Sequence, residues 1–216
     1  MSALTIHIPS DYSDPVLHYQ REDKRCCNSG QITPAGQDDY GMVFKMDFAP
    51  SRFDFHLSES NGSNPSTTYH YLSFLGDEVW CRKEWPELYD IEPVSITGHV
   101  NEVYESIHHL LPDGVYLPDT DITGKVTHSM LGATSLKDGR ILFGFYHPKA
   151  ARVYLTGEFN QWAKPGVPGA DPDSLIQMGL YRGYYDQPNI WLALITPPIP
   201  HKEWEYAYLV QGGCNP

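Results

Sequence analysis

The sequence predicts an all-β chain: two β-sandwiches joined by a connector that carries one short amphipathic helix. Three observations predict it. The 216 residues include 15 Tyr, 8 Phe and 5 Trp beside 18 Gly and 18 Pro, so rings that pack on pleated faces alternate with residues that close turns. Short runs alternate apolar and polar side chains with period 2, as in Phe53-Asp54-Phe55-His56-Leu57. One stretch alone, residues 99–111, carries a convincing helical period.

Taken in order, strands are expected at 4–8, 16–19, 41–48, 52–57, 69–75 and 78–81. Asn28-Ser29-Gly30 and the run from Ser60 to Pro65 break them, the spacing of a small antiparallel sandwich. In HVNEVYESIHHLL, Val100, Val103, Tyr104, Ile107, Leu110 and Leu111 share one face, and Pro112-Asp113-Gly114 ends the helix. Residues up to about Met130 read as linker. Strands return at 140–146, 152–156, 180–185, 190–195 and 203–210, with turns at Lys137-Asp138-Gly139 and His147-Pro148-Lys149. The domain expectation is therefore 1–93 for the first sandwich, 94–130 for the connector and 131–216 for the second sandwich.

The formal charge of −12 opposes phosphate backbones and anionic lipid, so nucleic acid and membrane surfaces are not expected partners. No run approaches eighteen consecutive apolar residues, and the N-terminus lacks the basic start and apolar centre of a signal peptide. Cys26, Cys27, Cys81 and Cys214 show no metal or redox spacing, which fits reduced thiols in a cytoplasmic protein.

The stretch LGATSLKDGRILFGFYHPKAARVYLTGEFNQW, followed by NIWLALITPPIPHKEWEYAYLVQGG, resembles carbohydrate-binding module family 48. The resemblance rests on the DGR turn, the Phe143 to Pro148 hairpin, the Val153-x-Leu155-x-Gly157-x-Phe159-Asn160-x-Trp162 run, and Tyr206-x-Tyr208-x-Val210-x-Gly212. It implies an immunoglobulin-like domain of the kind that precedes the barrel in α-amylase-family (glycoside hydrolase family 13) enzymes. The same module serves as the glycogen-binding domain of AMP-activated protein kinase β subunits. Residues 1–93 are more weakly similar to the family 41 starch-binding modules that open pullulanases. That similarity lies in Leu4-Thr5-Ile6-His7, Asp77-Glu78-Val79-Trp80 and Pro86-Glu87-Leu88-Tyr89.

The family 48 resemblance implies an α-glucan partner. Trp162 stands where the family's ring-stacking Trp stands, with Asn160 two residues before it, and these are the candidate carbohydrate-binding residues. A sugar offers apolar C–H faces to an aromatic ring and hydroxyls to polar groups. The packing alternative is that Trp162 merely covers the sheet. Ala207 stands where sugar-binding members carry Lys, and Cys214 where they carry a second Trp. Alternation puts Trp204, Tyr206, Tyr208 and Val210 in the core and turns Ala207 outward to where a sugar would lie. Trp191 is likewise read as core. Weak glucan affinity is the expectation.

No metal site is expected. Asp119-Thr120-Asp121 and Asp171-Pro172-Asp173 lack the Gly and Glu of a calcium loop, and His108 and His109 diverge on a helix. No cofactor is implied. Glycoside hydrolysis takes two carboxylates on a (β/α)₈ barrel of about 250 residues, for which there is no room, and a G-x-S-x-G elbow is missing. Two function classes follow. The chain is the non-catalytic N-terminal region of an α-amylase-family hydrolase, branching or debranching enzyme, supporting a (β/α)₈ catalytic domain; or it is a stand-alone glycogen- or starch-binding regulatory protein. The stop at VQGGCNP, where relatives continue into a barrel, predicts that the chain ends near a domain boundary.

Overall fold

In the computed structural model, residues 3–21, 29–47, 52–59, 68–83, 85–113, 131–168, 171–183, 189–199 and 203–212 are described. They form an all-β fold with one short α-helix, divided into two units, Met1–Ser95 with Gly212–Pro216 and Ile96–Gln211. Cys26, Cys27, Cys214, Asp119, Asp121 and the expected linker after Asp113 lie outside the described residues.

The first unit holds β1 (Leu4–Pro9), β2 (Pro15–Arg21), β3 (Ser29–Ile32), β4 (Gly36–Gln37), β5 (Gly41–Met46), β6 (Arg52–Glu59), β7 (Tyr69–Leu72), β8 (Glu78–Arg82) and β9 (Trp85–Tyr89). One sheet runs β4-β5-β1-β8-β9 and the other β3-β2-β6-β7. Alternation builds the core between them. Leu4, Ile6 and Ile8 of β1 meet Phe53, Phe55 and Leu57 of β6, with Leu17, Phe44, Tyr69, Tyr71 and Val79 completing it. Buried phenols need partners, and they have them: Tyr69 donates to the Arg82 carbonyl at 3.0 Å and Tyr71 to the Gly76 carbonyl at 2.8 Å. Cys81 is a free thiol in this core, and burial pushes its pKa up. The pairing departs from a purely antiparallel sandwich, because β1 lies parallel to β8. Parallel neighbours need a long crossover, and the intervening strands β2–β7, which include all four of the other sheet, supply it.

The second unit holds β10 (Ile96–His99), α1 (Val100–Ile107), β11 (Gly132–Ser135), β12 (Ile141–Phe145), β13 (Arg152–Gly157), β14 (Ile176–Gln177), β15 (Gly179–Arg182), β16 (Ile190–Ile195) and β17 (Tyr206–Gln211). Its sheets are β10-β15-β16-β12-β11 and β14-β13-β17. The expected turn at Lys137-Asp138-Gly139 forms between β11 and β12, with Gly139 at φ +87°, the left-handed region that favours glycine. Trp191 is fully buried and donates its indole N–H to the His147 carbonyl at 2.9 Å, which anchors the second expected turn.

Residues 96–111, read from the sequence as part of a connector, pair and pack with strands of the second unit. β10 lies parallel to β15, and the helix buries Val100, Ile107 and Leu111 against Leu136, Leu142, Ile190 and Leu192. Val103, Tyr104 and Leu110 pack at the margin of that cluster. The helix begins with the Glu102 carboxylate accepting the His99 backbone N–H at 3.3 Å, and its last turn is 3-10 over His108–Leu110. Val210 corrects the expectation that Trp204, Tyr206, Tyr208 and Val210 all lie in the core. It is 41% exposed, and Tyr206 and Tyr208 are half-buried, because among the described residues β17 is an edge strand with β13 as its one neighbour.

Two outcomes test this packing. Ile107 is 1% exposed, so Ile107→Ala lowers unfolding free energy by about 2–5 kcal/mol in denaturant titration; a change below about 0.5 kcal/mol contradicts it. The second concerns Asp38, which accepts the Gly41 and Tyr40 N–H groups and lies 2.6 Å from His7 Nδ1, whose Nε2 lies 2.9 Å from Glu78. Burial pushes the Asp38 carboxyl up, but the Gly41 and His7 bonds outweigh it and hold it below its ordinary 3.8. A carboxyl lowered in the folded state contributes stability that is present above the unfolded pKa and lost as pH falls through the folded one. Asp38→Asn therefore flattens the acid limb of the stability profile below about pH 4, and an unaltered limb in the variant contradicts the assignment.

Candidate functional site

The candidate residues sit in the chain between β13 and β14. Alternation along β13 buries Val153 and Leu155 on one face and brings Tyr154 and Thr156 to the other. At the strand end Gly157 approaches the Glu205 carbonyl so closely that a Cβ would strike it. The chain then turns through a 3-10 segment, Glu158–Asn160. Glu158 donates its N–H to the Glu205 carbonyl at 3.1 Å, and Trp162 donates its N–H to the Gly157 carbonyl at 2.8 Å. Gln161 and Trp162 stand at φ 56° and 58°, two successive non-glycine residues in the left-handed region. That costs on the order of 1–2 kcal/mol per residue, so the turn must be held from elsewhere.

The Asn160 carboxamide holds it. Its Oδ1 accepts the Gly157 N–H at 2.9 Å, and its Nδ2 donates to the Ser174 carbonyl at 3.0 Å and the Leu155 carbonyl at 3.4 Å. The Ser174 end is fixed in turn by Asp171, whose carboxylate accepts the Asp173 N–H at 3.0 Å and the Ser174 hydroxyl at 3.1 Å. Asp171-Pro172-Asp173 is thus a capped turn. His108 and His109 meet edge to face with rings 5.6 Å apart, and His108 Nδ1 bonds the Glu105 carbonyl at 2.9 Å. Among the described residues no group of three or more metal-binding side chains is gathered.

The two candidates thereby part in role. Asn160 is spent on the backbone, whereas Trp162 is 40% exposed. Trp162 borders an open groove of about 660 Å³ with Lys164, Val167, Pro168 and Asp171. Lys164 and Val167, both exposed, are the groove residues that sequence reasoning missed; neither belongs to the family pattern, and only the fold of the loop brings them beside the ring.

Ala207 lies on β17 opposite Thr156, on the face away from Tyr206 and Tyr208. It is half-buried, and Thr156 beside it is 1% exposed. On the opposite face Tyr206 packs edge-on against Phe143 at 4.9 Å, and Tyr208 stacks on Phe145 at 4.4 Å while donating to the Gly144 carbonyl at 3.0 Å. Burial pushes the Tyr208 phenol pKa up, so it remains a donor. Trp204 stands edge-on to Phe159 at 6.2 Å.

No model of a known protein family and no curated protein matches this sequence. Among solved structures, the chain is similar to a multi-modular glycogen-degrading pneumococcal virulence factor at 12% identity and TM-score 0.34, covering 97% of this chain and 26% of that one. It is also similar to Klebsiella pneumoniae pullulanase complexed with maltotriose, at 13% identity and TM-score 0.32 over 97% of this chain and 30% of that one. Pullulanase type I of Bacillus subtilis complexed with maltose is similar at 8% identity and TM-score 0.26, over 98% of this chain and 24% of that one. The chain spans less than a third of the length of each.

The division of roles at the turn is testable by stability alone. Asn160→Ala removes both ends of the clamp and leaves part-buried backbone groups unpaired, costing about 1–3 kcal/mol. Trp162→Ala, at an exposed position, changes stability by less than about 1 kcal/mol. Equal losses in thermal unfolding of the two variants contradict the assignment.

Proposed function

We propose that this chain is the non-catalytic N-terminal region of an α-amylase-family enzyme acting on α-glucan. In this reading it positions or supports a (β/α)₈ catalytic domain and itself binds α-glucan weakly, in the cytoplasm. The reading rests on the resemblance to family 48 modules together with one observation: the Gly157-to-Trp162 turn, clamped by Asn160, presents an exposed indole on an open groove. An exposed indole offers a stacking plane to the C–H face of a pyranose. The described residues contain one α-helix, Val100–Ile107, so no (β/α)₈ barrel lies among them. No helix among them is long and apolar enough to cross a membrane.

Magnitudes set the affinity. One stacked ring contributes about 1–3 kcal/mol, while association costs roughly 4–15 kcal/mol in lost freedom. The groove adds Lys164 as a hydrogen-bond donor, but Ala207 brings neither charge nor plane. Weak binding suits a module whose surface serves a covalently attached catalytic domain, since attachment raises the local substrate concentration without tight contact.

Isothermal titration with maltoheptaose or β-cyclodextrin tests this. The expected dissociation constant is about millimolar or weaker, the residual binding disappears in Trp162→Ala, and the paired change Ala207→Lys with Cys214→Trp strengthens it. Micromolar binding that survives Trp162→Ala overturns the assignment and favours a stand-alone glucan-binding protein whose site lies elsewhere.

A further inference from the structure

The outward face of the β3-β2-β6-β7 sheet carries a second feature that glucan binding does not use. His18 of β2 and His56 of β6 are direct cross-strand partners. Their imidazoles lie face to face with centroids 4.8 Å apart and planes 1° from parallel. Both line an open groove of about 510 Å³ together with Gln20, Gln31, Asp54 and Thr68. His7 and His70 on the sheets are each held by carboxylates, His7 by Asp38 and Glu78 and His70 by Asp54 at 2.8 Å. His18 and His56 differ. Neither meets a carboxylate among the described residues; His18 Nε2 bonds the Ser58 hydroxyl at 2.7 Å, and His56 has no hydrogen-bond partner among them.

Two imidazoles stacked without a counter-ion are a pair of nitrogen bases presented to the same solvent-filled groove. Directly opposed strand residues hold their Cβ atoms about 4.5–5.5 Å apart. A tetrahedral ion with Zn–N bonds of about 2.0–2.1 Å holds two of its nitrogens about 3.3–3.4 Å apart. Parallel stacked rings do not aim their in-plane lone pairs at one ion, so binding requires a swing of either ring about its broad terminal torsion to bring a nitrogen from each to that separation.

The geometry points to a two-histidine site for a divalent transition ion of the Zn²⁺, Ni²⁺ or Cu²⁺ class on the β2–β6 rung, completed by water. Imidazole suits these ions, whereas Ca²⁺ and Mg²⁺ take oxygen ligands. The Asp54 carboxylate, which also holds His70, lines the same groove two residues before His56 on the same face of β6, and its negative charge favours a cation nearby. An ion bound across β2 and β6 ties the central pair of the sheet together and stabilises the folded chain by mass action.

The test is calorimetric titration of the full chain, freed of metal by chelator, with Zn²⁺ and separately with Ca²⁺. One saturable Zn²⁺ site per chain is expected, with no Ca²⁺ response. His18→Ala and His56→Ala each weaken Zn²⁺ binding by about 100-fold or more, since losing even a partner of a ligand costs about 10–100-fold. Zn²⁺ also raises the melting temperature of the unsubstituted chain and leaves that of the double variant unchanged. Imidazole NMR of the unsubstituted chain gives a readout independent of the variants, with Zn²⁺ moving the His18 and His56 signals and sparing those of His7. Zn²⁺ binding that persists in the double variant, signals that move at His108 and His109 instead, or no saturable binding, each overturns the proposal.

Discussion

A single carboxamide governs what the turn after β13 presents to solvent. Asn160 bonds the backbone at both ends of the 157–174 excursion, reaching Gly157 in one direction and Ser174 in the other. That clamp, with the backbone bonds of the turn itself, offsets the cost of two successive left-handed residues, Gln161 and Trp162. With it, the indole is lifted off the sheet to the rim of a groove. Asn160 therefore holds the turn and Trp162 is the ring it leaves exposed, although the two stand together in the sequence motif.

The surrounding sandwich explains why the clamp has something rigid to hold. β13 is the central strand of its sheet, with β14 on one side and β17 on the other, so both flanks of the turn start from hydrogen-bonded backbone. The inner face of β17 supplies Tyr206 and Tyr208 against Phe143 and Phe145. Rings in such pairs add about 0.5–1.5 kcal/mol beyond their buried area. The opposite face of β17 carries Ala207, half-buried beside Thr156.

Much of this was legible in the sequence because local periodicity reports burial. Phe53, Phe55 and Leu57 alternate into the core as their spacing requires, and Ile107 and Leu111 fall on the buried stripe of the helix. What was not legible depends on partners far along the chain. The parallel pairing of β1 with β8 joins residues more than seventy positions apart, and no local pattern encodes it. Short edge strands such as β4 and β14 bury too little to leave a period. The apolar stripe of the helix was legible, but not that it would meet apolar residues of β12 and β16. Val210 carried the alternation of a core residue on an edge strand that leaves it uncovered. At the site, the Asn-x-Trp run marked the turn but not the use of Asn160 by the backbone. The facing of His18 and His56 came only from strand register.

The most direct measurement of the central claim is amide and indole NMR of the full chain titrated with maltoheptaose into the millimolar range. The account predicts fast-exchange shifts at the Trp162 indole and at backbone amides of residues 157–168, with the rest of the second unit unmoved. Shifts confined to the first unit, or a Trp162 indole that stays in place while other signals saturate, contradict it.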